Sequence, residues 1–265
     1  IRLGLVGSEM CIRDRNEEVQ RVNKLVIPLL ACIACAVIVS VTAVSVRYEQ
    51  NLNKENEKKV KILAAAGIVT DKVDQEFSKI KTLYVDFETN KLVSIEDSYD
   101  HLKASSNPEL SSLVPKSEDI AIIKRRENIA PIYVWLSDDE AIEKIVLPIR
   151  GYGLWGTLYG YLSLDSDLNT VKGIEYYEHK ETPGLGGEVD NPNWKSDWNG
   201  KRIYSNDGSV GLYVTKGPSS TEYEIDGISG ATLTTNGVTN MIKYWLGDNG
   251  YGPVIKNLGE EIKNI

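Results

Sequence analysis

The chain has 265 residues, with 30 Lys and Arg against 38 Asp and Glu, a formal charge of −8 and a pI of about 5.0. That balance argues against a nucleic-acid binder, which needs a cationic surface to displace counterions from phosphates. With 42% hydrophobic and 26% charged residues it has the apolar material for a core and is no disordered tail. The mean hydropathy of −0.25 nevertheless conceals one very uneven stretch.

Residues 1–24 read as a short N-terminal arm, within which residues 1–15, IRLGLVGSEMCIRDR, resemble translated sequencing-adapter sequence and carry no weight in a fold argument. Residues 25–46, LVIPLLACIACAVIVSVTAVSV, hold no charge. At about 1.5 Å per residue a helix of that length spans about 33 Å, against about 30 Å of bilayer hydrocarbon, which predicts a transmembrane helix with Pro28 in its first turn. A cleaved signal peptide is the competing reading, with a shorter apolar region and a small-residue cleavage site. Five cations precede the span and five follow it closely, so the positive-inside rule ties. Cys32 and Cys35 form a C-x-x-C within the span and read as small apolar residues on one helix face, because redox pairs and metal sites usually recruit further Cys or His. No cysteine follows residue 46.

Residues 47–67 are rich in Glu and Lys and end at Gly67, which predicts a solvated helical neck. Residues 68–265 then read as one mixed α+β domain. Runs such as LYVDFE at 83–88 and PIYVWL at 131–136 predict strands linked by helical pieces. Gly151-x-Gly153-x-x-Gly156 matches a dinucleotide-binding fingerprint by letters, but that motif must open a helix. Here Leu158, Leu162 and Leu164 continue with strand spacing, so the glycines predict a turn between strands.

In residues 176–201, Pro183, Gly184, Gly186 and Gly187 predict an irregular loop whose backbone can approach a ligand, with Leu185 as its one apolar side chain. His179, near Glu178 and Glu181, lacks a spaced partner for a metal site, so no metal ligand is assigned. Trp194 and Trp198 are expected to pack. Further on, Val238, Met241, Ile242, Trp245 and Leu246 mark one face of an amphipathic helix ended by Gly247 and Gly250. Its start falls at Thr232 to Thr235, where hydroxyls are expected to cap free N–H groups. Ser229-Gly230-Ala231-Thr232 thus puts small and hydroxyl residues where a helix favours a phosphate. A plain capped helix is the alternative on these residues alone.

Asp226-Gly-Ile-Ser-Gly-Ala-Thr232 resembles the flavinylation motif of FMN-binding domains in ion-pumping respiratory complexes. Together with Glu181-Thr-Pro-Gly-Leu-Gly186, the GLWG run at 153–156 and the single span, it makes residues 25–262 similar to the C subunits of sodium-translocating NADH:quinone oxidoreductases (Nqr). The G subunits of Rnf complexes share the SGAT motif and are the alternative. The resemblance implies covalent FMN on Thr232, installed from FAD by a separate flavin transferase. It implies that Ser229, Gly230 and Ala231 complete the attachment motif and that Asp226 belongs to its recognition. Glu181, Thr182, Leu185 and Gly186 would lie against the isoalloxazine ring, and Lys216 would face the flavin or its phosphate. It further implies an electron relay with no catalytic residue of its own, other Nqr subunits as partners, and a domain on the periplasmic side of a bacterial inner membrane. A membrane-anchored binding module without flavin is the reading from a different class.

Overall fold

A computed structural model describes residues 6–95 and 99–263; residues 1–5 of the adapter-like stretch lie outside the described residues. The chain divides into two compact units, one up to Glu55 and one from Asn56 on. α1 runs from Val6 to Ala65 and is, among the described residues, the helix long and apolar enough to cross a membrane. Cys32 and Cys35 are exposed on it. Pro28 lies inside α1 rather than in the first turn of a shorter helix, because the arm before the span is helical too. Its ring therefore leaves the carbonyl of Lys24 without the usual helical donor.

The last turns of α1 are not a solvated neck. Ile62, Leu63, Ala65 and Ala66 are buried against Tyr133, Trp135, Val146 and Tyr161. Gly67 then stops the helix in the left-handed region, at φ 74°, donating to the carbonyl of Ala64, while Ile68 donates to that of Leu63. This is a Schellman stop, and Ile68 packs on the same cluster as Leu63.

The body from Asn56 on is built on six antiparallel strands. α2 (Val73–Phe77) leads to β1 (Ile80–Asp86) and β2 (Lys91–Val93). α3 (His101–Ser106), β3 (Ser111–Leu113) and β4 (Arg125–Glu127) form an excursion before β5 (Ile129–Leu136), β6 (Ile142–Tyr152), β7 (Thr157–Asp165) and β8 (Val171–Glu178). The order across the sheet is β2-β1-β5-β6-β7-β8. Successive side chains of β5 alternate faces, and both faces are covered. Ile132 and Val134 join the main core, whereas Tyr133 and Trp135 face the end of α1, so the strand reads as an unbroken apolar run.

After a 3-10 turn at Gly186–Asp190 come α4 (Pro192–Ser196), the short parallel pair β9 (Tyr213–Val214) and β10 (Glu224–Ile225), then α5 (Thr232–Leu246) and α6 (Gly252–Lys263). Trp194 and Trp198 pack edge to face with ring centres 5.5 Å apart. The apolar stripe of α5 is buried, and Trp245 donates its indole N–H to the carbonyl of Arg150 at 2.6 Å. The helix after Gly250 has no counterpart in the sequence reading, although Val254, Ile255, Leu258 and Ile262 lie on one buried face.

Candidate functional site

The glycine run after β6 is a turn, as its spacing predicts. β6 and β7 pair as a hairpin from Lys144 with Asp165 to Tyr152 with Thr157, and Gly153 donates to the carbonyl of Gly156 at 2.8 Å. The turn exposes Leu154 and Trp155, the latter 64% accessible, and points their backbone N–H groups inward. Both N–H groups donate to Oε1 of Glu181, at 3.0 and 2.9 Å. Oε2 of the same carboxylate accepts the hydroxyl proton of Thr234 at 2.5 Å. Glu181 is only 5% exposed.

These bonds bring three distant segments together: the turn at 153–156, the loop after β8, and the first turn of α5. Glycine makes the approach possible. A Cβ on Gly153 would stand 2.6 Å from Oε1 of Glu181, and one on Gly186 would stand 2.6 Å from Oε2 and 2.5 Å from the Thr234 hydroxyl. A Cβ on Gly237 would meet the carbonyl oxygen of Tyr152, which seats α5 directly on the end of β6.

α5 begins at Thr232 with Ala231 as its N-cap, and no side chain caps it. The expected hydroxyl cap is absent because the helix starts at Thr232, which puts Ala231 at the N-cap, and the buried threonines inside the first turn donate elsewhere. Thr234 bonds Glu181, and Thr235 donates to the carbonyl of Thr232 at 3.1 Å. Both are buried, whereas Thr232 is exposed. Helix N–H groups without a cap, at the positive end of the helix dipole, suit an anion. Just before them Ser229 and Gly230 are exposed, Ala231 is buried, and Gly230 has φ 73°. A Cβ on Gly230 would approach the Leu185 side chain to 2.9 Å, so the loop after β8 borders the SGAT segment.

Thr182 is exposed and its carbonyl closes the loop by accepting from Leu185 and Gly187, at 3.1 and 2.9 Å. Leu185 is 45% and Leu233 59% exposed, so open apolar side chains flank the SGAT segment on the loop side and within the first turn of α5. Asp226 is a brace. Its Oδ1 accepts from the Ser219 amide at 2.6 Å, its amide donates to Asp197, and its carbonyl accepts from the Trp194 indole. The Ser219 amide holds the Asp226 carboxyl below the usual carboxylate range. Through Gly227, which donates to the carbonyl of Gly217, the brace sets the loop carrying Lys216 beside the attachment segment. Lys216 is exposed and forms no ion pair among the described residues.

The structure thus unites Glu181, Leu185, Gly186, Gly230 and Thr232, and it adds Leu154, Trp155 and Thr234, which the sequence reading did not assign. The GLWG run was the available signal for the first two. Thr234 carried none, since its partner Glu181 is 53 residues away.

A family model described as an FMN-binding domain matches residues 153–247, which contain all of these residues. The C subunit of the Na(+)-translocating NADH-quinone reductase of Pasteurella multocida is 41% identical over 249 residues, 91% of this chain and 95% of that protein. The C subunit of Pseudomonas aeruginosa is likewise 41% identical, over 88% and 94%. The crystal structure of Shewanella oneidensis NqrC superposes with a TM-score of 0.71 at 32% identity, covering 80% of this chain and all of that one. The C subunit from Parabacteroides distasonis superposes at 0.62 and 28% identity, covering 79% of this chain and 96% of that one.

Proposed function

The chain belongs to the family of C subunits of the Na(+)-translocating NADH-quinone reductase, and from that premise we propose that Thr232 carries FMN through a phosphoester bond. Membership makes it a subunit of that complex, with the other subunits as partners, and its FMN-binding domain gives it an electron-transfer role. Its mixed helix and sheet domain after an apolar N-terminal helix agrees with the solved relatives and with a membrane-anchored protein.

One observation carries the assignment of Thr232. It is the exposed hydroxyl at the uncapped start of α5, while its neighbours Thr234 and Thr235 are buried and already bonded. Attachment runs from FAD. The Thr232 oxygen would bond to the phosphorus of the FMN half as the diphosphate P–O bond breaks, with AMP as leaving group and the hydroxyl proton passing to a base. No His or Lys is bonded to this hydroxyl among the described residues, which agrees with a separate flavin transferase supplying the base.

FMN, once bound, supplies one- and two-electron redox chemistry. The chain's part is to hold and shield it. The first-turn N–H groups of α5 would receive the phosphate together with Ser229, Gly230 and Ala231. Leu154, Trp155, Leu185 and Leu233 provide apolar cover for the ring, Thr182 and Gly186 line its loop, and Lys216 offers a cation toward the phosphate. The span at 25–46 anchors the domain on the periplasmic side of a bacterial inner membrane, where 34 acidic side chains against 25 basic ones after the span keep it soluble. Whole-length similarity to C subunits favours this assignment over an Rnf G subunit, and the match to an FMN-binding domain favours it over a flavin-free module.

Thr232→Ala, coexpressed with the flavin transferase, is expected to fold and to lose covalent flavin fluorescence on a denaturing gel. Fluorescence retained by that variant overturns the assignment.

A further inference from the structure

The carboxylate of Glu181 is enclosed by three donors and by no cation. Leu154 and Trp155 donate backbone N–H groups to one oxygen, Thr234 donates its hydroxyl to the other, and no ion pair to Glu181 is present among the described residues. Three of the roughly four lone-pair sites of this carboxylate are filled by the protein, and the group is only 5% exposed, so its main partners are the turn and α5. Gly153 and Gly186 are shaped around it, since a Cβ on either would collide with the carboxylate oxygens. Thr234 stands in the same helical turn as Thr232, where the helix dipole favours a negative charge.

We propose, resting on the assignment of FMN to Thr232, that Glu181 is a positioning residue for the flavin site. It fastens the first turn of α5 to the glycine turn and fixes a buried negative charge beneath the attachment point, so that it lowers the midpoint potential of the bound flavin. The physical cause is direct. Reduction adds negative charge to the ring system, and a fixed carboxylate in a poorly solvated site opposes it more strongly than it would in water.

The test uses the full-length chain, matured with the flavin transferase and titrated spectroelectrochemically at neutral pH. Glu181→Gln preserves the shape. Its amide oxygen still accepts from Leu154 and Trp155, and its NH2 donates to the Thr234 oxygen, whose own proton turns to another acceptor, so the contacts are kept and the charge is removed. Covalent FMN is expected to persist and the midpoint potential to move positive. Thr234→Val removes one donor and leaves the carboxylate less compensated, so its potential is expected to move negative by a smaller amount.

An unchanged potential in Glu181→Gln with flavin bound overturns the proposal, because a purely structural strut would not set the potential. Should Glu181→Gln fail to take up flavin, Thr234→Val decides: a negative shift supports the proposal and no shift overturns it. Covalent flavin retained in Thr232→Ala would instead overturn the assignment of the attachment site, which keeps the two failures distinguishable.

Discussion

Gly186 lies within reach of two polar side chains at once, and the consequence is quantitative. A methyl group at 2.5 Å from the Thr234 hydroxyl and 2.6 Å from the Glu181 carboxylate must displace one of them. Gly186→Ala is expected to destabilise the fold by about 1–3 kcal/mol, the usual range for overpacking, as read by denaturant unfolding. His101 makes a different kind of residue-level statement. Burial holds its imidazole down at about 4, with Glu127 and Asp100 pulling the other way and Lys58 and Arg150 reinforcing the shift. The folded chain keeps it neutral while the unfolded chain protonates it near pH 6.5, so its contribution is complete above that pH. The contribution is lost as pH falls toward 4, and amounts to about 3 kcal/mol at 1.36 kcal/mol per unit. Unfolding free energies measured from pH 7 to 4 should fall less steeply in His101→Gln. None of this was legible beforehand, because neither His101 nor Gly186 carries a sequence signal for the burial that constrains it.

Among the elements, the end of α1 gives the cleanest test. Gly67 has φ 74°, and a Cβ added there would meet nothing within 4 Å, so Gly67→Ala adds backbone strain without a clash. The expected loss is about 1 kcal/mol, seen as a lower denaturation midpoint with an unchanged slope. The sequence located this stop, because glycine after a helix-forming run is a local signal. It also located β1, β5, the β6–β7 hairpin and α5, whose periodicities are complete within each segment. It missed that one face of the neck's last turns is buried, since Ile62, Leu63, Ala65 and Ala66 acquire their meaning only from Tyr133, Trp135, Val146 and Tyr161 on the sheet. Hydroxyl capping of α5 failed because the helix begins at Thr232 and leaves Ala231 at the N-cap, while Thr234, inside the first turn, donates to Glu181 on a loop 53 residues away in sequence.

For the molecule as a whole, the division at Asn56 and the acidity beyond the span lead to one expectation. A chain beginning at Asn56 should be soluble without detergent and cooperatively folded, checked by gel filtration and thermal circular dichroism. One beginning at Gly67 should be less stable, because it loses the buried α1 residues. The sequence by itself determined the apolar span, the mixed domain after it and the two glycine-bearing motifs, because each is written in contiguous residues whose period or composition states its role. Only the tertiary structure decided what those motifs are to each other. It brought the 153–156 turn, the loop after β8 and the start of α5 to one carboxylate, and left Thr232 as the open hydroxyl among them. Hydrogen bonds between segments 26 to 53 residues apart depend on how the sheet and α5 pack, and no local pattern encodes that.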